Sequence, residues 1–243
     1  MKKRGLLTIV LLVIIWFILA LVVNNDFLIP SPVDVLTKMI SDTGSIDFYH
    51  TVGSSLIRLL KGLVISLVLA VPLGLLAGLS KKFADYLAPI NAIVKAIPSM
   101  SYIIILLIWF GAENSVLFVS FLVLFPVVYT NVYTGVLQLD KGLQDVLRVY
   151  PAPLLSRISK VYIPQILPFL WSSLKVGCGL GIRVCIMAEV LSQVRDGVGK
   201  QIYYAKNMLD MTSIFSWTIW MILLSLLIDV ILERTKSSFN VNE

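Results

Sequence analysis

The chain has 243 residues, of which 58% are hydrophobic and only 14% are charged, and its formal net charge is +6. An average soluble domain is about 45–50% apolar and roughly 25% charged. A soluble chain of this size buries only about 70–75% of its surface on folding, so it could not hide this much apolar surface. The composition all but excludes a soluble monomer, a disordered chain, a disulfide scaffold and a nucleic-acid-binding domain. One histidine and two cysteines predict no metal site.

Six apolar stretches are candidates for transmembrane helices, because a bilayer core of about 30 Å requires about 20 residues in helical form. In chain order they are residues 5–23, 55–79, 84–110, 115–137, 165–194 and 214–232. A cleaved signal peptide is the alternative for the first stretch, but its apolar run is too long and no A-x-A site follows. The third stretch is composite, and a break is predicted at Pro98.

Arginine residues occur inside two of these stretches, each together with other charged residues. Arg58 and Lys61 lie in the first two turns of the second stretch, where we expect their long side chains to reach the membrane interface. The fifth stretch contains Lys175, Arg183 and Glu189. Intramembrane charges usually face the protein interior or water, so the fifth helix is predicted to line an internal surface.

The distribution of basic residues predicts the orientation. If the amino terminus is cytoplasmic, twelve lysines and arginines fall in cytoplasmic loops and four fall on the opposite side. Cytoplasmic loops carry the excess of basic residues in membrane proteins. The sequence therefore predicts an all-α polytopic membrane protein with about six transmembrane helices and both termini in the cytoplasm.

Two external segments contain signals for short structural elements. In the segment 24–54, Ser31 is predicted to cap a helix that begins at Pro32 and has Asp34 in its first turn. In the segment 195–212, two glycines predict a turn before a short helix at 200–209.

The cytoplasmic segment 138–164 is polar and is predicted to form two short helices, 142–150 and 153–162, separated by a Pro-Ala-Pro corner. On the second helix, Leu155, Ile158 and Tyr162 fall on one face. This pattern is compatible with a docking element and equally with an ordinary interfacial linker.

The same segment resembles the cytoplasmic loop of ABC importer permeases of the type I class. Their loop carries E-A-A, then three residues, G, nine residues and I-x-L-P. Asp145 falls at the glutamate, Pro151 at the glycine and Val161 at the isoleucine, so the spacing is kept while several residues differ. Other segments resemble the nitrate, sulfonate and taurine branch of that family, and they are Leu28–Pro32, Ser55–Arg58, Pro72–Leu75, Ala96–Pro98, Trp109–Gly111 and Ala188–Val190.

The resemblance implies a type I ABC importer fold and a permease function. It implies a second permease copy, giving a homodimer, two cytoplasmic ATPase subunits that bind ATP and Mg²⁺, and an extracytoplasmic substrate-binding protein. The cargo would be a small solute, such as a sulfonate, taurine, nitrate or a thiamine-precursor-like molecule. No G-x-x-x-x-G-K-[ST] motif occurs in the chain, so we expect no enzymatic activity and no catalytic residue.

The resemblance also assigns residues and regions. The first helix would occupy 1–25, the extracytoplasmic segment 26–54, the permease core 55–232 and the cytoplasmic tail 233–243. The residues expected to couple to the ATPase are Asp145, Tyr150, Pro151, Ala152, Leu155 and Ile158. Replacement of the motif glycine by proline is expected to keep the bend and make it more rigid.

Candidate pathway residues lie on the fourth and fifth helices. They are Arg183, Glu189, Lys175, Tyr133 and Asn131. Arg183 could attract an anionic cargo, form a structural ion pair or extend to the interface. Tyr133 and Asn131 could contact cargo or form hydrogen bonds between helices.

Two other transporter classes compete with this interpretation. The transmembrane component of an energy-coupling-factor vitamin transporter also docks on ATPases, but it would show different cytoplasmic helices and no L-P-S-P entry segment. An ion-driven secondary carrier usually has more spans and inverted repeats. An intramembrane enzyme would require catalytic groups inside the spans, and the single histidine is predicted to lie outside them.

Overall fold

Helices form nearly all of the described chain, which in the computed structural model comprises residues 2–139, 142–143, 149 and 153–238. The helices are α1 (Lys2–Val23), α2 (Pro32–Thr43), α3 (Ile46–Leu79), α4 (Lys81–Ala96), α5 (Ser99–Leu137), α6 (Leu154–Arg157), α7 (Ile163–Ser192), α8 (Val198–Asn207) and α9 (Met211–Ser238). A π-helical turn (Ile158–Tyr162) joins α6 directly to α7. The predicted all-α class is confirmed.

Three helices of the described chain are long and apolar enough to cross a membrane by length and composition alone. They are Ile46–Leu79, Ser99–Leu137 and the segment Met211–Thr235 of α9. Within α1, Leu7–Val23 forms a shorter apolar helix. The other predicted spans correspond to α4 with the first part of α5, and to α7, which contains three charged side chains.

A sharp reversal divides α5 at Gly111, whose φ of +74° and ψ of 176° are not helical. In an uninterrupted helix, positions 110 and 118 would be about 12 Å apart, because the rise is about 1.5 Å per residue. Instead the ring centroids of Phe110 and Phe118 are 4.2 Å apart. The helix therefore consists of two arms, residues 99–110 and residues 112–137, that fold back on each other.

Contacts between helices fix their directions. The second arm of α5 runs parallel to α3, because Gly62 lies against Ser120 and Gly78 lies against Val136. Helix α7 runs the opposite way, and α9 runs in the direction of α3. The helices of the described residues thus pass between the two ends of the bundle six times, counting α4 and the first arm as one pass. We call one end the loop end, which contains residues 24–45, 111–113 and 193–210, and the other the hairpin end, which contains residues 80 and 153–163.

Local sequence explains where several helices begin and break. The hydroxyl of Ser31 accepts the N–H of Asp34 over 3.1 Å, with Pro32 as the first helical residue, so the predicted cap of α2 is confirmed. The predicted break at Pro98 is also present, between α4 and α5. Helix α3 starts at Ile46 instead of near residue 55, because Ser45 caps it there.

The core lies between α3, the second arm of α5 and α7. One buried cluster near the loop end includes Leu59, Val119 and Ile182. A second cluster near the hairpin end includes Val132 and Ile166. Small residues permit the close approach of these helices, as is common where helices pack in membranes.

Replacing Gly62 with alanine is expected to destabilise the protein by about 1–3 kcal/mol, a typical cost of overpacking. A Cβ atom at this position would lie 2.5 Å from the Cβ of Ser120 and 3.2 Å from backbone atoms of the second arm. Gly53 of the same helix is the matched control, because a Cβ there meets no atom within 4 Å. Gly53→Ala is expected to stabilise by about 0.5–1 kcal/mol through lower backbone entropy. Detergent-micelle unfolding curves of the two variants measure both effects, and equal midpoints would contradict the prediction.

Candidate functional site

Charged side chains from three helices meet at the loop end of the bundle. Arg58 of α3 donates from Nη1 to Oε1 of Glu189 on α7 over 2.8 Å, and from Nη2 to Oε2 of Glu113 on the second arm of α5 over 2.6 Å. Glu189 is fully buried and the side chain of Arg58 is 14% exposed, while Glu113 is partly exposed. A buried ion pair requires further hydrogen bonds to satisfy its remaining atoms.

The segment after α7 supplies those hydrogen bonds. Oε2 of Glu189 accepts the hydroxyl of Ser55 over 2.8 Å and the backbone N–H of Gly199 over 2.9 Å. The Ser55 oxygen in turn accepts the N–H of Val198 over 2.9 Å. We call the side chains of Ser55, Arg58, Glu113 and Glu189, with the backbone of residues 195–199, the charge network.

Two glycines allow the backbone to approach this carboxylate. Gly197 has a φ of +129°, a conformation that other residues rarely adopt. A Cβ at Gly199 would collide with the side chain of Glu189 and lie 2.7 Å from the backbone nitrogen of Val190. The predicted turn is present at Gly197, whereas Gly199 is already a residue of α8, which begins at Val198 and not at residue 200. The close contact of this segment with Glu189 explains why both positions are glycine.

Two further contacts close the charge network. Nη1 of Arg58 also donates to the carbonyl of Asp196 over 2.7 Å, and the N–H of Arg195 donates to Oε1 of Glu113 over 2.7 Å. The expectation that Arg58 extends to the interface is therefore wrong, because two carboxylates and a carbonyl compensate its charge inside the bundle. Lys61, one turn further along α3, is exposed.

Sequence reasoning missed Arg58 and Glu113 as members of a site. A usable signal was present, since a charge inside an apolar span usually faces the protein interior. Arg58 also lies three residues after Ser55, which places both on the same face of α3. The partners could not be chosen from the sequence, because Glu113 and Glu189 are far along the chain.

The structure does not bring the predicted pathway residues together. Glu189 belongs to the charge network at the loop end. Lys175 forms an ion pair with Glu233 of α9, towards the hairpin end, and both side chains are exposed. These two residues of α7 thus each have a partner.

The two predicted polar residues of α5 make local contacts. Nδ2 of Asn131 donates to the carbonyl of Val127 in its own helix over 3.1 Å. The ring of Tyr133 stacks on that of Tyr129 with centroids 6.2 Å apart. The described contacts of Asn131 are therefore within α5, and its role in a pathway stays a prediction.

Arg183 differs from the other charged residues of α7. Its side chain is exposed, and within the described part of the chain it makes no ion pair or hydrogen bond. It lines a cavity of about 530 Å³ between α7 and α9, whose lining also includes Gly179, Met221 and Asp229. Such an arginine can bind an oxyanion through two parallel N–H groups.

Two of the predicted coupling residues are described in the structure, and they differ in exposure. Leu155 is 80% exposed, whereas Ile158 is partly buried and packs against the cluster that includes Tyr162. The predicted helix over 153–162 is present as α6 followed by the π-helical turn. The other predicted coupling residues lie outside the described residues, and they are Asp145, Tyr150, Pro151 and Ala152.

The described chain thus forms a helical bundle with α6 and the π-helical turn at one end and a buried charge network at the other. The family of binding-protein-dependent transport system inner membrane components matches residues 70–238. This match covers more than half of the chain, and the chain belongs to that family. The prediction of an ABC importer permease is confirmed, which decides against the two competing transporter classes. The chain is therefore a transport component, and its family implies ATPase and substrate-binding-protein partners.

Individual relatives agree with the predicted branch. The taurine transport system permease protein TauC of Escherichia coli (strain K12) is 28% identical over 211 residues, which cover 82% of this chain and 74% of the relative. The nitrate import permease protein NrtB of Synechocystis sp. (strain ATCC 27184 / PCC 6803 / Kazusa) is 28% identical over 236 residues, with coverage of 93% and 85%. The resemblance to the nitrate, sulfonate and taurine branch is confirmed.

A solved structure agrees with the predicted fold. The MetNI methionine ABC transporter, in inward-facing conformations, matches with a TM-score of 0.69 and 16% identity, covering 78% of this chain and 94% of that one. At this identity the likeness shows the fold alone. The type I importer fold is confirmed.

Proposed function

We propose that this chain imports a small anion that an extracytoplasmic binding protein delivers, and that two separate ATPase subunits, which bind ATP and Mg²⁺, drive the transport. Two copies form a homodimer in a bacterial cell membrane, with both termini cytoplasmic and the loop end outside. The names of the relatives support a cargo with a sulfonate or nitrate group. The excess of basic residues in the proposed cytoplasmic loops supports the orientation.

The observation that best supports an anionic cargo is the position of Arg183. A cation without a protein partner inside an apolar span is costly, and such residues commonly mark substrate pathways. The cavity beside Arg183 has a volume of about 530 Å³, which is within the range of about 300–1,000 Å³ typical of small-molecule sites. Asp229 lines the same cavity, so an approaching anion meets one positive and one negative side chain.

The coupling proposal is supported by the continuity of the chain from α6 to α7. Leu155 is exposed at the hairpin end, and the π-helical turn leads without a break into α7. Helix α7 is roughly 45 Å long at 1.5 Å per residue, and Glu189 near its far end belongs to the charge network. A push on α6 by a closing ATPase would therefore move α7 as a rigid body and could reverse the opening of the pathway.

Replacing Arg183 with glutamine is expected to lower ATP-driven uptake about tenfold to a hundredfold, because a hydrogen bond to a charged group contributes about 1.5–3 kcal/mol. The assay uses proteoliposomes that contain the permease, its ATPase and its binding protein, with labelled taurine and labelled nitrate as probes. Uptake of a probe by the unaltered transporter must require ATP on the ATPase side and the binding protein.

Two variants make this assay specific. Arg183→Lys keeps the charge and should retain part of the uptake. Lys175→Gln removes a cation of the same helix that already pairs with Glu233, and its effect should be smaller than that of Arg183→Gln. Unchanged uptake by an assembled Arg183→Gln transporter would rule out a role of this side chain in the pathway, and uptake without ATP would refute the proposed function itself.

A further inference from the structure

A second cavity, of about 360 Å³, opens at the loop end between α2, the start of α3, α8 and the start of α9. We propose that it receives a lysine or arginine side chain of the extracytoplasmic binding protein when that protein docks. This inference rests on the proposed function for the presence of the binding protein and for the outward orientation of the loop end. The lining residues that carry the argument are Lys38, Asp42, Asp47, Thr51, Asp210 and Trp217.

The cavity is negatively charged. Three carboxylates and one ammonium group line it, which gives a net charge of −2 at neutral pH. Lys38 and Asp42 pair with each other at 2.8 Å, and Asp210 accepts the N–H and the hydroxyl of Ser213 over 2.9 and 2.6 Å. Asp47 is exposed, and its carboxylate makes no hydrogen bond or ion pair with any described residue. It is therefore available to a cation that enters the cavity.

Thr51 supplies an observation that is independent of this charge. Thr51 is only 6% exposed and lines the cavity one helical turn after Asp47. Its hydroxyl has no hydrogen-bond partner among the described residues, and its oxygen is not one of the buried unpartnered atoms, so it is open to the cavity and can accept a hydrogen bond there. An ammonium or guanidinium group that reached Asp47 could also donate to the Thr51 oxygen.

The wall of the cavity suits the apolar stem of such a side chain. Phe48 and Trp217 line it, and their rings are stacked with centroids 5.5 Å apart. Lysine and arginine place their methylene groups along apolar surfaces while the charged group reaches a polar partner. Aromatic faces also attract cations directly.

The charge of the cavity argues against the cargo as its occupant. Two relatives are named for taurine and for nitrate. Taurine carries a negatively charged sulfonate group, and nitrate is an anion. A cavity of charge −2 repels sulfonate and nitrate groups, so its charge does not suit the anionic group of such a cargo. Complementary charges across an interface are a common means of steering a partner into register.

Replacing Asp47 with asparagine tests this proposal. The permease and its ATPase are placed in nanodiscs, and the dissociation constant of the binding protein is measured at low and at moderate salt. Asp47→Asn should weaken binding at least about tenfold at low salt and flatten the salt dependence. Thr51→Val keeps the shape of the side chain and should weaken binding several-fold. Unchanged thermal midpoints show that both variants remain folded.

Asp26→Asn is the matched control, because Asp26 is an exposed acid of the same end that does not line the cavity. Its affinity for the binding protein should equal that of the unaltered permease. A charge swap identifies the occupant. A lysine or arginine of the binding protein is changed to glutamate, which should abolish binding, and Asp47→Lys in the permease should restore it.

Three results would overturn the proposal, and they are distinguishable. If the unaltered complex binds the binding protein and Asp47→Asn binds equally well, the cavity is not the docking point while the proposed function stands. If ethylammonium or Ca²⁺ stabilises the permease alone through Asp47 and binding-protein affinity is unaffected, the cavity is a small-cation site. If the unaltered complex imports cargo and never binds a binding protein, the proposed function fails together with the inference.

Discussion

Replacing Arg58 with methionine is expected to destabilise the protein by about 3–5 kcal/mol, because it leaves a buried carboxylate without its cation. Glu189 is fully buried, and its Oε1 accepts Nη1 of Arg58 over 2.8 Å. Ser55 and Gly199 would still donate to Oε2, but no described neutral donor bonds to Oε1. The midpoint of unfolding by SDS in mixed micelles measures the loss.

The damage should be concentrated at the loop end. The amides of Val198 and Gly199 donate into the charge network, so hydrogen exchange at these two positions should accelerate in Arg58→Met. Amides in the middle of α5 should change less, because the second arm keeps its contacts with α3 and α7. Exchange measured by mass spectrometry on peptides from residues 193–205 and 112–137 separates the two regions.

A double-variant cycle shows whether the buried charge is the cause. Arg58→Met combined with Glu189→Gln should be more stable than Arg58→Met alone, since a neutral amide is less costly to bury without a cation. Lys200→Met is the control, because the Lys200–Asp196 pair lies in the same region at 3.7 Å and both side chains remain partly exposed. Exposed pairs contribute about 0–1 kcal/mol. If Arg58→Met costs no more than this control, the charge network does not stabilise the loop end.

The charge network also shows what the sequence could not predict. Glu189 is recognisable as an unusual charge inside an apolar span, but its partners depend on which face of α3 turns inward. That choice depends on contacts between residues that are far apart in the chain: Arg58 and Glu189 are separated by 131 positions, and Ser55 and Glu189 by 134. Local patterns contain no information about such pairs, so the position of Arg58 was compatible with the membrane interface and with the interior.

Features that depend on near neighbours were predictable. The cap at Ser31, the break at Pro98 and the turn at Gly197 each follow from the conformational preferences of one or two residues. The reversal at Gly111 is an intermediate case. The six apolar stretches predicted a change of direction between residues 110 and 115, but a turn made by a single non-helical glycine leaves almost no polar loop to recognise.

The candidate site was only partly predictable for a related reason. Helical periodicity placed Leu155, Ile158 and Tyr162 on one face, but the structure exposes Leu155 and buries Tyr162. The π-helical turn that follows α6 changes the register of the side chains, which a regular 3.6-residue period does not anticipate. Periodicity therefore identified the segment and could not separate its exposed residue from its packed ones.

Because Leu155 is exposed while Ile158 and Tyr162 are packed, it permits a second prediction of large effect. Replacing Leu155 with aspartate is expected to reduce ATP-driven uptake at least about a hundredfold, because a docking groove would have to bury an unpaired carboxylate at a cost of several kcal/mol. Leu155 is 80% exposed in the chain itself, so the substitution removes little internal packing. The permease should therefore keep its thermal midpoint and lose its ATPase, which co-purification and the uptake assay measure.

Ile158 is less suitable for this test, because it packs against the same cluster as Tyr162 and a charge there would disturb folding and docking together. The matched control is Ile46→Asp, which introduces the same charge at an apolar residue that is 87% exposed at the opposite end of the bundle. This variant should bind the ATPase normally, because α3 begins far from the hairpin end. Normal ATPase binding and uptake by Leu155→Asp would show that α6 is an ordinary linker, and the route from α6 through the π-helical turn into α7 would then transmit no force.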